Sequence, residues 1–413
     1  MPLLLSTREL RANMRLADAV THGTKELMPA GLVLSAADVD ALRRDHPQLM
    51  IRVTDPALDE MGVFADDTHD REVARSARQA LATTLSGVRK RFAAQMSLNQ
   101  LDFRGLQEAV ADVVQYIRDN PVAAAILADH AESDHYLTEH SANVFYLALV
   151  LGNAVRGYVQ RAQAQNSARR IRVSAPPLDL TPLALAALFQ DVSLWSIEEL
   201  YRTGAPLTPQ QWKTVRQHPL TGAEMLPDDM PAATPTAVAM HHENIDGSGY
   251  PRGLTGDDLP VFPRILRICD AFDAGTATRV YAQAKSPARI LGEMTRGPYR
   301  QFYDPLLLKV FSHLVQPYPI GAKLRLNCRR HGVVVRYGQV DPFLPTIVIA
   351  FDRDGQRLPP GRVEGPFALD RHPEIRIESF GADDLTDLYN APADQSEPLV
   401  VHEFSNLFES SYP

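Results

Sequence analysis

Histidines and acids gather in one part of this 413-residue chain in the way that metal chemistry would need. Six of its thirteen histidines, His130, His135, His140, His218, His241 and His242, fall between positions 130 and 242. Asp191, Glu243, Asp246 and Asp270 lie among them or just after. Imidazoles and carboxylates without a thiolate suit a hard or borderline divalent ion, so Fe, Mn or Zn is the expected cofactor. A lone histidine on a helix is usually a satisfied core or surface residue, and none of these is persuasive singly. The run His241-His242-Glu243-Asn244-Ile245-Asp246-Gly247-Ser248-Gly249-Tyr250-Pro251 is another matter. A plain surface turn has no use for adjacent histidines. Its glycines allow backbone to approach something closely, and Pro251 stiffens the loop that presents Tyr250.

The longer stretch HHENIDGSGYPRGLTGDDLPVFPRILRICDAFDAGTATRVY resembles the signature half of the HD-GYP family, bacterial metal-dependent phosphodiesterases that handle cyclic di-GMP. After the Gly249-Tyr250-Pro251 loop come Arg264, Ile265, Asp270, Asp273, Ala274, Arg279 and Tyr281 at the matching positions. Upstream, DHYLTEHSANV resembles the family's first metal-ligand helix, which makes His140 a ligand. QQWKTVRQHPLTGAEML resembles the segment that supplies His218. The similarity covers residues 120–315. It implies an all-α bundle with His140, Asp191, His218, His241, His242 and Asp270 holding one or two divalent ions, Asp191 bridging them. It also implies Tyr250 and Arg279 as substrate contacts.

The departures from the pattern bear on turnover. Where the family has a His-Asp-x-Gly-Lys run, this chain has Gln190-Asp191-Val192-Ser193-Leu194. By the resemblance, His218, His241 and His242 complete one ion's shell with Asp191, and that set is whole. The second ion would use His140, Asp191, Asp270 and the missing histidine, for which Gln190 offers only a neutral amide oxygen. A weakly held second ion weakens the acidification of a bridging water. Leu194 removes a positive charge that would face the phosphate, and loss of one such preorganised contact commonly costs on the order of 10²–10³ in rate.

The elements that must position these groups are legible at intervals. Residues 1–60 read as a small α+β unit. Met14–Ala19 and Leu32–Leu34 suit short strands beside Gly23 and Gly31, Ser35 caps a helix with Asp38 three residues on, and Leu49–Val53 is a closing strand. Residues 61–119 read as a linker followed by helix, with Leu101, Leu106, Val110, Val113, Val114 and Ile117 at helical spacing. The central domain follows at 120–315. It is interrupted by an arginine-rich connector from Arg156 to Arg172, read as solvated, and includes a helix start at Thr208-Pro209-Gln210-Gln211. After Pro317, Lys323–Asn327, Val333–Tyr337 and Thr346–Phe351 are β-type runs, with a turn at Asp352-Arg353-Asp354-Gly355. They define a small β unit over 316–372, and residues 373–413 read as an acidic tail. The expected fold is therefore mainly α, a central HD-type all-α helical bundle flanked by a small N-terminal α+β unit and a small C-terminal β unit.

Bulk properties narrow the function. A net charge of −8 argues against general binding of DNA or anionic membranes. Two cysteines, Cys269 and Cys328, without CxxC spacing exclude a disulfide scaffold and fit a cytoplasmic protein. No apolar run reaches membrane-spanning length. Cys269, Trp195 and Trp212 read as packing groups, His135 as exposed, and Arg329, Arg330 and Arg336 as strand-surface charge. Three functions stay open. The first in rank is a degenerate phosphodiesterase that binds metal and nucleotide, or docks a diguanylate cyclase or another signalling protein through the Gly-Tyr-Pro loop. The others are an active cyclic di-GMP phosphodiesterase yielding linear di-GMP or GMP, and a phosphohydrolase for another nucleotide. A dimer is compatible with each.

Overall fold

The computed structural model describes residues 2–22, 25–47, 49–55, 136–160, 179–197, 208–277 and 284–390, with isolated positions 58, 90, 110, 111, 113 and 114. Most of the 61–119 segment, most of the arginine-rich connector, His130, His135, Arg279 and everything past 390 lie outside the described residues.

The N-terminal unit pairs β1 (Pro2–Ser6) antiparallel with β4 (Met50–Thr54), Pro2 opposite Thr54 and Ser6 opposite Met50. Between them lie the hairpin β2 (Val20–His22) and β3 (Lys25–Met28) and helix α1 (Ala36–Asp45). Strand β1 was not foreseen, because its apolar run carries no polar alternation. The expected strands at 14–19 and 32–34 reduce to isolated bridges, Arg15 with Val33 and Leu16 with Val53. The helix start is as the sequence implies. Ser35 Oγ accepts from the Asp38 amide at 3.2 Å, and Asp38 Oδ2 accepts from the Ser35 amide at 2.8 Å, which satisfies two N-terminal donors reciprocally.

The helical domain is built on α2 (Tyr136–Ala154) and α3 (Thr181–Phe189), packed on each other. Pro182 to Phe189 are all buried, as are Val144 to Gly152. Helices apolar on every side can only serve as the centre of a bundle. Around them lie α4 (Pro209–Arg216), α5 (His218–Met225), α6 (Ala233–Met240), α7 (Val261–Thr276), α8 (Pro287–Thr295) and α9 (Pro305–Val315). Thr208 and Gln211 form the second reciprocal cap, Gln211 N to Thr208 Oγ1 at 3.3 Å and Thr208 N to Gln211 Oε1 at 2.8 Å. Asp304 caps α9, accepting from Leu306 N and Leu307 N. Cys269 and Trp195 are buried in this core, but Trp212 is 53% exposed and is not a packing group. It sits on the solvent side of α4, a short amphipathic helix whose buried residue is Val215.

The C-terminal unit is a six-stranded antiparallel sheet in the order β10-β9-β5-β6-β7-β8. Strands β5 (Lys323–Leu326), β6 (His331–Arg336) and β7 (Thr346–Phe351) coincide with the three expected runs. Strands β8 (Glu364–Ala368), β9 (Ile377–Phe380) and β10 (Asp383–Asp384), and helix α10 (Thr386–Asn390), extend the unit. The acidic segment expected as a tail from 373 therefore contributes folded structure to 390. Ile377, Phe380, Leu385 and Leu388 are buried, and these few apolar anchors outweigh the acids around them. Arg336 is exposed at the end of β6, as strand-surface charge would be, whereas Arg329 and Arg330 lie in the turn between β5 and β6, with Arg330 paired to Glu364.

The two small units, read separately along the chain, share a core. Alternate residues of β6 point to opposite faces. Val334 joins Leu324, Leu326, Ile347 and Ile349 in the cluster that includes the helical domain. Val333 and Val335, with Val348, Ala350 and Phe351, join Leu3, Leu5, Leu42 and Val53 of the N-terminal unit. The sheet is covered on both faces, which accounts for the unbroken apolar runs GVVV and IVIAF. Polar ties follow the same junction. Leu4 N donates to Gly321 O, Lys323 Nζ to Glu9 Oε1 at 2.9 Å, and Arg357 Nε to Asp55 Oδ2 at 2.8 Å.

Truncating Leu5, 3% exposed beneath the sheet, should therefore destabilise more than its own strand. Leu5→Ala is expected to lower stability by about 2–5 kcal/mol in urea unfolding, with the near-ultraviolet signal of the C-terminal sheet melting along with the N-terminal unit.

Candidate metal centre

Five segments converge on one buried pocket. His140 comes from the first turns of α2, and Asp191 follows the end of α3 at a 3-10 turn over Val192–Ile197. His218 opens α5, His241 and His242 follow the last turn of α6, and Asp270 lies within α7. All six are buried except His242, which is partly open. They fall into two groups, His218–His241–His242 and His140–Asp191–Asp270, each with one ligand atom per residue within 4.8 Å of the others.

The first group is oriented by backbone. His218 Nδ1 lies 2.7 Å from Val215 O, and His241 Nδ1 lies 2.7 Å from Val238 O. A carbonyl can only accept, so each Nδ1 carries the proton and each Nε2 is left to face the pocket. The two Nε2 atoms stand 3.1 Å apart, and His218 Nε2 is 3.1 Å from Asp191 Oδ1. Lone pairs at these separations repel unless a positive species lies among them, either an added proton or a metal ion. Burial, with the His218 ring beside it, presses His241 down to about 4, and burial with His241 holds His242 well below the ordinary imidazole value. Near neutral pH both rings are kept in the neutral form that binds metal.

The second group is oriented by carboxylates. His140 Nδ1 bonds Asp273 Oδ2 at 2.6 Å, and its Nε2 is 3.0 Å from Asp270 Oδ1 and 3.4 Å from Asp191 Oδ2. Burial opposes charge on His140, but the bonds to Asp270 and Asp273 prevail and raise it to about 10. Burial would likewise raise Asp191 and Asp270, yet contact with His218 for Asp191 and with His140 for Asp270 holds each well below the carboxylate range. Gln190 is fully buried with its Nε2 3.3 Å from His140 Nε2, and its Oε1 has no hydrogen-bond partner among the described residues. A partnerless buried acceptor beside two carboxylates and an imidazole is a set that a cation would satisfy. The residues present thus fit a divalent ion in the first group and a less well supplied one in the second. Such an ion would act as a Lewis acid toward a phosphoryl oxygen and acidify bound water.

Two acids counted among the candidates do other work. Glu243 accepts from Arg252 N at 2.6 Å and Leu254 N at 3.0 Å, and Asp246 Oδ1 accepts from Ser248 N and Oγ. Both brace the loop. Within it Gly247 has φ +82°, and a Cβ on Gly249 would fall on the Asn244 nitrogen and the His242 carbonyl oxygen, so these two positions need glycine. Tyr250 N returns to His242 O at 3.2 Å, and the Tyr250 ring lies 4.8 Å from that of His242. Leu194, where the family pattern has lysine, is buried in the apolar core.

Asp273 and Asn143 were not assigned a role from sequence. Asn143 Nδ2 donates to Asp273 Oδ1 at 2.9 Å, and Asp273 aims His140. The signal was available, because Asp273 follows Asp270 and Asn143 follows His140 by three positions, which places each pair on one helix face. Carboxylate support behind a ligand histidine is the usual arrangement at metal centres.

Helical bundle, histidine–aspartate pocket and glycine-braced loop together define a domain of the HD kind. Residues 125–307 match the family model described as "HD domain". The chain is 27% identical over 254 residues to "Cyclic di-GMP phosphodiesterase PA4108" of Pseudomonas aeruginosa, covering 61% of this chain and 56% of that protein. It is 38% identical over 114 residues to "Probable cyclic di-GMP phosphodiesterase" of Vibrio cholerae, covering 25% and 26%. It is 35% identical over 121 residues to "3'3'-cGAMP-specific phosphodiesterase 2" of the same species, covering 29% and 23%. The match thus spans little more than half of the first relative and about a quarter of the other two. Residues 125–307 of this chain thus match an HD domain, and the chain is similar in sequence to proteins named as cyclic di-GMP phosphodiesterases.

Removing the charge of the shared carboxylate tests the pocket directly. Asp191→Asn should lower the metal retained after Mn loading and dialysis to well under the wild-type value by elemental analysis, with far-ultraviolet circular dichroism unchanged.

Proposed function

We propose that this chain is a degenerate HD-GYP protein of bacterial cyclic di-GMP signalling, one that binds a divalent ion and the nucleotide but turns it over poorly. The single observation that carries this reading is the inequality of the two ligand groups. One has three imidazoles and the Asp191 oxygen converging. The other has His140 between carboxylates, with the Gln190 amide in the place of an imidazole. A site that holds one ion well and the second weakly is suited to bind a phosphodiester better than to hydrolyse it. Leu194 adds to the deficit, since no cation at that position meets charge developing on the phosphate. On this reading Asp191, His218, His241 and His242 hold the resident ion, and Tyr250 contacts the ligand. Arg279, in the expected ligand set, lies outside the described residues. The outer edge of the loop, with Ser248, Arg252 and Gly253, is the surface we assign to a protein partner such as a diguanylate cyclase.

A second reading, an active phosphodiesterase that opens the ring to linear di-GMP, is favoured by one observation. Asp191 still faces both groups, Oδ1 toward His218 and Oδ2 toward His140, as a bridging ligand would. The resemblance of one segment to a relative named for 3'3'-cGAMP keeps another cyclic dinucleotide among the possible ligands.

The purified chain supplied with Mn or Fe should retain close to one ion and yield little linear product from cyclic di-GMP. Restoring the family residues in a Gln190→His, Leu194→Lys double variant should raise retained metal toward two and turnover by on the order of 10²–10³ or more. Two ions and brisk ring opening by the unaltered chain would refute impaired turnover and establish the second reading.

A further inference from the structure

Two guanidinium groups border the pocket on the Tyr250 side, and neither has a role in holding metal. Arg216 ends α4 with its Cζ 5.4 Å from the centre of the Tyr250 ring, and that ring leans on His242. Arg267 lies on α7, three positions before Asp270 and so on the same helix face. Its Nε donates to Asn244 Oδ1 at 2.8 Å, and its Cζ is 5.2 Å from the centre of the Tyr303 ring.

Most buried or half-buried arginines in this fold are matched to acids, Arg264 to Asp304, Arg289 to Glu293 and Arg357 to Asp55. Among the described residues, no carboxylate lies within ion-pair distance of Arg216 or Arg267. Their contacts are aromatic faces and one neutral amide, which hold a guanidinium in place without neutralising it. The planar fork of N–H donors matches the oxygens of a phosphate.

We propose that Arg216 and Arg267 form a two-sided clamp for the anionic oxygens of a bound phosphodiester, supplying from the loop side the positive charge that Leu194 does not. This rests on the ligand assignment made above and adds which side chains select for phosphate. Tyr250, lying against Arg216 and His242, would fix the depth at which that phosphate stops.

Calorimetric titration of the Mn-loaded full chain with cyclic di-GMP and, separately, with inorganic phosphate tests the clamp. Arg216→Gln and Arg267→Gln should each weaken cyclic di-GMP binding about 10- to 100-fold and weaken phosphate binding in parallel, with metal content unchanged. Arg267→Lys, which keeps the charge, should recover part of the loss, separating charge from packing. Because Arg216 is exposed, its variant should keep the fold. Wild-type affinity for both probes in Arg216→Gln would overturn the clamp. Arginine-dependent phosphate binding without cyclic di-GMP binding would support the clamp and refute the nucleotide assignment. Failure of the wild-type chain to bind either probe would overturn both.

Discussion

The carboxylate of Asp191 is the constraint on which the rest of the pocket depends. Its two oxygens stand 3.1 Å from His218 Nε2 and 3.4 Å from His140 Nε2, joining histidines that lie far apart in sequence. Two buried imidazoles and a buried carboxylate are costly to desolvate singly and tolerable only as a mutually satisfied set. The bundle meets that requirement with uniformly apolar α3, whose C-terminal end delivers Asp191 to the meeting point. Backbone carbonyls on one side and Asp273 on the other then fix which nitrogen of each ring faces inward.

The loop after α6 shows how the same economy extends outward. Glu243 is fully buried, and its charge is spent on two loop amides rather than on an ion. Arg264 grips Gly256 O and Leu259 O and pairs with Asp304, which is also bonded by Tyr158 at 2.6 Å. The segment that presents Tyr250 is thus tethered to α7, α9 and the chain beyond α2, a rigid support of the sort that functional loops require.

Much of this was legible in the sequence, for physical reasons that differ by element. The reciprocal caps at Ser35 and Thr208 are local, four-residue chemistry, and the structure has both. The histidine–aspartate set was readable through the resemblance of its motifs to those of the HD-GYP family, and the structure brings its six residues into one pocket. Strand β1 was missed because a strand buried between neighbours shows no alternation. The apolar anchors at Ile377, Phe380, Leu385 and Leu388 were masked by the acids around them. Trp212 was misjudged because residue type alone does not say which face of a short helix points outward. Glu243 was grouped with the metal candidates because a carboxylate looks the same in sequence whether it meets an ion or an amide.

The sheet covered on both sides carries a consequence for synthesis. Glu9 and its partner Lys323 are 314 residues apart. At about 5–20 residues per second, the N-terminal unit emerges roughly a quarter of a minute to a minute before the strands that complete its core. During that interval Leu3, Leu5 and Val53 are covered only from within their own unit, by residues such as Leu10, Leu34 and Leu42, and the side that later meets Val333, Val335 and Val348 stays open. The cell obtains a finished N-terminal unit only from chains translated nearly to their last strand, and a ribosome that stops early leaves one end of the protein as incomplete as the other.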